Sequence, residues 1–503
     1  MPDVASEAGD PGVDQRRVMP QIDTIIVLML ENRSLDSMLG WLHADGAPVR
    51  VVPEGSEPPA FDGIPHGVEN VAFGAAHAPA RGREALGEQR WRVPRQDPRE
   101  ALADVFRQMY GDGDGITSPL TWADEAPMTG FASDFERMLP PDVGEVMGAY
   151  THEELPVLYE LAERFAVSDR WFSSVPTETT PNRAFAFCGT SEGKETDADR
   201  PLTYSSPTIF NALNATGTTW AIYAQTDVAG IPFTNGGATY SELVFDGVRS
   251  ALAEPDHRGA VLPYESLLDC LRDGWQLPSF CWIEPSWGWG LGDEATFVGR
   301  QGNDYHPPTW VGPAEADLAA LFEAIVTSRH WPNLLFVVTF DEHGGTWDHV
   351  PPPRAVNPDG RVGPSGFAFE RFGPRVPALL ISPFIEPRTV VRPPVGSTAP
   401  FDHTSIIKTV LAWAGADDDS IAAFGRRVAD APMFDHALGE TVVQPHPTIP
   451  TVPAGFASQC TQGSHLLPEA VDGRPIAELK HIAAECSTLE EFVARLDAEP
   501  RPP

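Results

Sequence analysis

The chain has 503 residues, 42% of them hydrophobic, enough for one large core or two or three smaller ones. Its formal net charge of −36 argues against nonspecific nucleic-acid binding and against a polybasic membrane anchor. So acidic a chain suits cations, and takes an anionic substrate only where a local positive charge, such as a bound metal, stands at the site.

The five cysteines, Cys188, Cys270, Cys281, Cys460 and Cys486, are odd in number and include no CxxC pair, so neither a zinc site nor a disulfide framework is expected. No apolar run is long enough for a transmembrane helix. Residues 1–20 contain Pro and Gly and lack the apolar core of a secretory signal. They read as a flexible leader and the chain as cytoplasmic, with export left open.

In chain order, Ile22 to Leu30 reads as a first buried strand that stops at Glu31-Asn32-Arg33-Ser34, where side-chain oxygens could hold a metal. A surface helix cap is the alternative for that pair. A helix starting at Ser34 or Asp36 follows. Residues 44–130, rich in Pro, Gly and Ala, read as loops and insertions over a sheet, with one amphipathic helix at Ala101–Met109. Glu153 to Phe165 carries a helical apolar stripe.

The stretch Val175 to Phe185 predicts Thr180 as the cap of a helix beginning at Pro181. Thr179 then lies at a helix N-terminus, where free N–H groups and the dipole favour an anion such as phosphate. A hydroxyl there can be a nucleophile if a metal lowers its pKa, or simply a spare threonine beside a cap. Residues 208–226 pair a helix with a strand, as in a βα alternation. Residues 228–300 read as a second insertion containing one short strand, Phe280–Glu284. Trp282, Trp287 and Trp289 there could equally wall a pocket or pack a loop.

His306 falls in a loop, Asp304-Tyr305-His306-Pro307-Pro308, before a helix over Ala314–Ser328. Leu334 to Phe340 is a continuous apolar run, as in a strand buried on both faces. It ends in Asp341-Glu342-His343-Gly344-Gly345. Adjacent carboxylates repel unless a cation or proton lies between them, and the glycines allow a sharp turn. A polar β-turn is the bland alternative. A strand over Val376–Ser382 and a capped helix after Phe401-Asp402-His403 follow. Beyond residue 440 the chain is a Pro-rich extension over 441–503, with a late helix near Leu489–Leu496. These polar stations are too far apart for one metal loop. They meet only if a sheet brings its strand ends together, and in open α/β sheets ligands bind at those carboxyl ends.

The stretches VLMLENRSLDSMLG, VPTETTPNR, YHPP, FDEHGGTWDHVPPP, FGPRVPALLISPF and FDHTSIIKTVLAW, in this order across residues 22–415, resemble the bacterial phospholipase C and acid phosphatase phosphoesterases of the alkaline-phosphatase-like superfamily. The resemblance implies an α/β fold, a three-layer α/β/α sandwich with a mostly parallel sheet, spanning residues 21–440. It implies a metal on Glu31, Asn32, Asp341 and Glu342, with Ca, Mg, Mn or Zn all suited to such ligands. Thr179 takes the place of the nucleophile, giving a phospho-threonine intermediate, with His306 and His403 near the reacting phosphate. Asn182, Arg183, Arg99 and His343 are expected on the substrate side. The substrate is a small-molecule or lipid phosphate ester, with transient membrane contact allowed.

Two departures stand out. Ser37 and Arg99 occupy positions where many relatives have His, and an Arg can clamp a phosphate but cannot exchange a proton. Nothing after residue 440 reads like the long C-terminal β-domains of some phospholipases C, which weighs against a membrane-acting lipase. A sulfatase or phosphonate hydrolase is the second enzymatic reading, although the C/S-x-P-x-R signature is missing around Thr179. A non-catalytic, metal-binding family member is the third.

Overall fold

The computed structural model describes residues 18–82, 87, 90–111, 125–226, 239–291, 298–454 and 456, with two short strands at 470–471 and 474–475. Residues 1–17, Cys460, Cys486 and the expected late helix near Leu489–Leu496 lie outside the described residues.

Nine strands form the main sheet: β1 Thr24–Leu30, β2 Arg50–Val52, β3 Ala166–Val167, β4 Trp220–Ala224, β5 Gly259–Pro263, β6 Phe280–Glu284, β7 Leu334–Phe340, β8 Ala378–Ile381 and β9 Thr389–Val391. Their spatial order is β2-β9-β3-β8-β7-β1-β6-β4-β5. Only β8 runs against the rest, pairing antiparallel with β7 on one side and β3 on the other. The two central strands, TIIVLML and LLFVVTF, are buried along their whole length. That is why neither shows a polar alternation.

Helices Pro156–Arg164, Tyr264–Asp273 and Gly312–Thr327 pack in one group, and Thr179–Cys188, Ile209–Thr216 and His403–Trp413 in another. With the sheet they make the expected sandwich. Five helices bear on the site: α1 Leu35–Leu39, α2 Leu102–Tyr110, α3 Phe131–Glu136, α4 Thr179–Cys188 and α5 His403–Trp413. The α2 and α3 helices form a smaller apolar cluster of their own, separate from the main core, which closes over Val175, Phe185 and Trp347.

Neither region read as an insertion is only that. Residues 44–130 supply the edge strand β2, and residues 228–300 supply β5 at the opposite edge as well as β6. β2 and β5 are short and partly exposed, so they lack the apolar run that betrays a central strand.

Candidate active site

Strands β1 and β7 are parallel neighbours, with Leu30 directly opposite Phe340. The residues that follow, Glu31-Asn32 and Asp341-Glu342, therefore leave the sheet side by side at its carboxyl edge. The Asn32 N–H donates to Asp341 Oδ1 at 3.0 Å, and the Arg33 N–H to the Glu342 carbonyl at 2.9 Å. Asn32 adopts φ +52°, a left-handed conformation that asparagine tolerates better than most residues. Gly344 (φ +60°) faces it so closely that a Cβ would lie 2.2 Å from the Asn32 carbonyl oxygen. Only glycine lets the two turns meet.

Helix α4 brings in the hydroxyl. It begins at Thr179, two residues earlier than the sequence suggested, with Glu178 as N-cap and no side-chain cap bond. Thr180 is not the cap, because a residue from outside satisfies the helix end: its N–H donates to Asp197 Oδ1 at 2.7 Å. The Thr179 hydroxyl lies 3.1 Å from Glu31 Oε2 and 3.3 Å from Asn32 Oδ1.

Arg183, one turn along the same face, donates to Glu31 Oε1 at 2.6 and 3.1 Å and sits 3.3 Å from Asp341 Oδ2. Its Nη2 also reaches the Met29 and Leu30 carbonyls. Burial opposes its charge, but Glu31 and Asp341 overcome that and raise its pKa. A guanidinium so engaged holds the carboxylates in place and is not a substrate contact. Asn182 is likewise consumed: its Oδ1 accepts the Val175 N–H, and its Nδ2 donates to the Val175, Thr177 and Glu178 carbonyls. It staples the loop before α4, contrary to the substrate-side expectation.

The three histidines separate by their partners. His306 Nδ1 donates to the Pro307 carbonyl, so Nε2 carries the lone pair that meets the Asn32 amide nitrogen at 3.1 Å, with Asp97 Oδ2 at 4.0 Å. Its loop is held by Arg33, whose Nε donates to the Tyr305 carbonyl, and by Asp304, whose carbonyl accepts the Glu31 N–H. His403 is fully buried with both nitrogens taken: the Trp171 indole N–H donates to Nδ1, and Nε2 donates to the Asp341 carbonyl at 2.5 Å. Burial lowers its pKa. His403 props the Asp341 backbone, with both ring nitrogens engaged in doing so. His343 is also fully buried, donates to Gln108 Oε1 at 2.8 Å, and is pushed by burial down to about 3. It locks α2 to the turn. Of the expected substrate contacts, only Arg99 keeps a solvent-facing side chain at the lip, 4.0 Å from Asp104.

Acidic groups dominate the rest. Burial and then Asp341 raise the pKa of both Glu31 and Glu342 well above the carboxylate range. Burial lifts Asp97 to about 6, and lifts Glu100 well up, with Asp97 and Glu342 adding to it. Sequence reasoning assigned no role to Asp97, Glu100, Asp197 or Asp304. All four sit in loops whose pattern carries no period, and only the fold brings them to one edge.

The donor set fits a divalent cation. Glu342 Oε1 is buried without a hydrogen-bond partner, and so is Asp341 Oδ2, which faces Arg183 as an ion pair only. Buried carboxylate oxygens left in this state are costly unless a cation meets them. A second group, Asp36, Asp348 and His349, is compact enough to ligate an ion. There the positive charge is already supplied: Arg375 donates to Asp348 Oδ1 at 2.9 Å and to Asp36 Oδ1 at 3.0 Å, and His349 binds Asp36 Oδ2 at 2.6 Å. That cluster is already an ion-pair network.

The Phosphoesterase family model matches residues 22–414. Non-specific phospholipase C3 of Arabidopsis thaliana is 33% identical over 77% of this chain and 69% of its own. Phospholipase C B of Mycobacterium tuberculosis is 26% identical over 81% of this chain and 76% of its own. A solved protein in the alkaline phosphatase superfamily from Vibrio parahaemolyticus overlaps 55% of this chain and 63% of that one at 14% identity and a TM-score of 0.29, too little to argue from.

Proposed function

The chain belongs to the phosphoesterase family and is a hydrolase of phosphoric esters; from that premise we propose that it cleaves phospholipid-type phosphodiesters, with Thr179 as nucleophile and a divalent cation as cofactor. The observation that carries this reading is the Thr179 hydroxyl, 3.1 Å from Glu31 Oε2 at the start of a helix and facing buried carboxylates. The names of the plant and mycobacterial relatives favour a phospholipase C over a phosphatase.

Glu31, Asn32, Asp341 and Glu342 would hold the cation. When bound it lowers the pKa of the neighbouring hydroxyl and offsets the charge of the phosphate. The chain supplies the rest. Glu31 accepts the Thr179 proton as Oγ1 bonds to phosphorus, and the bond from phosphorus to the departing alcohol oxygen breaks. His306 is the candidate to pass a proton to the departing alcohol through Nε2, which must first exchange the Asn32 amide for that proton, with Asp97 Oδ2 4.0 Å away. Water then attacks the phospho-threonine and gives a proton to His306 Nε2, restoring it, as the bond from Oγ1 to phosphorus breaks and Thr179 regains its proton from Glu31. Arg99, at the lip, is suited to a non-bridging phosphate oxygen.

The test is release of p-nitrophenol from p-nitrophenylphosphorylcholine and from p-nitrophenyl phosphate, after chelation and resupply of Ca²⁺, Mg²⁺, Mn²⁺ or Zn²⁺. Metal-restored cleavage of the diester is expected. Thr179→Ala is expected to lose about 10³-fold or more in kcat. Cleavage of the monoester alone would make the protein a phosphatase, and near wild-type turnover in Thr179→Ala would remove the nucleophile.

A further inference from the structure

Two bulky apolar residues stand exposed in a backbone conformation that suits neither. Phe73 has φ +48° and is 59% exposed, and Leu139 has φ +52° and is 78% exposed. Left-handed positions favour Gly, Asn or Asp, and a bulky residue there is an outlier that persists only where its surroundings hold it. Neither side chain recovers that cost by packing inward.

Both are held from one residue. Phe73 and Gly74 form the tight turn between the antiparallel strands Asn70–Ala72 and Ala75–His77. The Phe73 N–H donates to Glu136 Oε2 at 2.7 Å, and the Leu139 N–H donates to the Glu136 carbonyl at 2.9 Å. On the inner face of the hairpin, Asn70 is buried and clamps α3, accepting the Phe131 N–H at 2.9 Å and donating to the Met128 carbonyl at 3.2 Å. On its outer face Val71 is 58% exposed. Helix α3 belongs to the small apolar cluster that also holds Val175 and Trp347, on either side of the nucleophile loop and the Gly344-Gly345 turn. The exposed side chains are thus fixed to the substructure that covers the active site.

We propose that Val71, Phe73 and Leu139 are the surface by which the protein seats on a zwitterionic lipid layer, an inference that rests on the phospholipid reading above. Projecting single apolar side chains suit a deformable apolar medium at the headgroup boundary. Charge selects which lipid. The chain carries −36, and in these same segments Glu69 and Asp142 stand exposed against one exposed cation, Arg137, so an anionic layer repels it while a neutral one admits the apolar tips.

The experiment uses the full chain and vesicles of phosphatidylcholine, with and without added phosphatidylserine, read by cosedimentation and by hydrolysis. In the double variant Phe73→Asn, Leu139→Asn the asparagines fit the left-handed backbone, so the melting temperature should hold or rise. Vesicle-bound fraction and vesicle hydrolysis should both fall by about tenfold or more, from the lost burial of two large side chains. Cleavage of soluble p-nitrophenylphosphorylcholine should stay within about twofold, since neither residue touches the site. Unchanged vesicle partition in the variant overturns the proposal, as does binding that grows with phosphatidylserine. A concentration-dependent dimer that the variant disperses also overturns it, assigning the patch to a second copy. Wild-type protein that partitions onto vesicles but cleaves neither substrate would defeat the phospholipid reading, while the docking surface stood.

Discussion

Histidine chemistry in this site is decided by what each ring nitrogen meets. His306 keeps Nε2 directed at the Asn32 amide, whereas His403 spends both nitrogens on Trp171 and the Asp341 carbonyl. We therefore expect His306→Gln to lower kcat by about 10²- to 10⁴-fold with little change in melting temperature. His403→Phe should instead destabilise the fold by roughly 1–3 kcal/mol, since it leaves a buried carbonyl without its donor. Thermal melts and kcat measured on the same preparations separate the two roles. His349 gives a pH signature of its own. Burial opposes its charge, but the bonds to Asp36 and Asp62 overcome that and raise it from 6.5 to about 9. Because the folded value is the higher one, its contribution to stability is complete below about 6.5 and is lost as pH rises through about 9. Denaturant melts from pH 6 to 10 should show that decline, and His349→Gln should flatten it.

At the scale of elements, the site depends on two turns leaving adjacent parallel strands. Gly344→Ala would drive a Cβ to 2.2 Å from the Asn32 carbonyl and strain a φ of +60°. Several kcal/mol of stability and nearly all activity should be lost, read by denaturant melts and diester cleavage. The buried strands β1 and β7 were legible because both faces are covered and no polar residue interrupts them. So was α1, whose predicted cap Ser34 accepts the Ser37 N–H. The start of α4 was misread because Asp197, far along the chain, supplies the capping that Thr180 was expected to give. Asn182 and Arg183 lie in the recognised motif, yet their side chains turn to loop carbonyls and to Glu31. Such orientation depends on tertiary neighbours that spacing cannot reveal.

For the whole molecule, a net charge of −36 and several buried carboxylates at one sheet edge make the folded state sensitive to cations. A divalent ion that binds only the folded form should stabilise it by about 2.7 kcal/mol at a hundredfold excess over Kd. Melting temperatures with and without Ca²⁺, Mg²⁺, Mn²⁺ or Zn²⁺ would read this, and Asp341→Asn should abolish the shift. No helix among the described residues is long and apolar enough to cross a membrane. The sequence alone determined the strand cores, the polar residues that end them, and the family, because apolar runs and local motifs are written contiguously. Only the tertiary structure decided which of those polar residues face the Thr179 hydroxyl. Parallel strand register brings Glu31 and Asp341 together across more than three hundred residues, and packing consumes Arg183, His343 and His403 in holding them there.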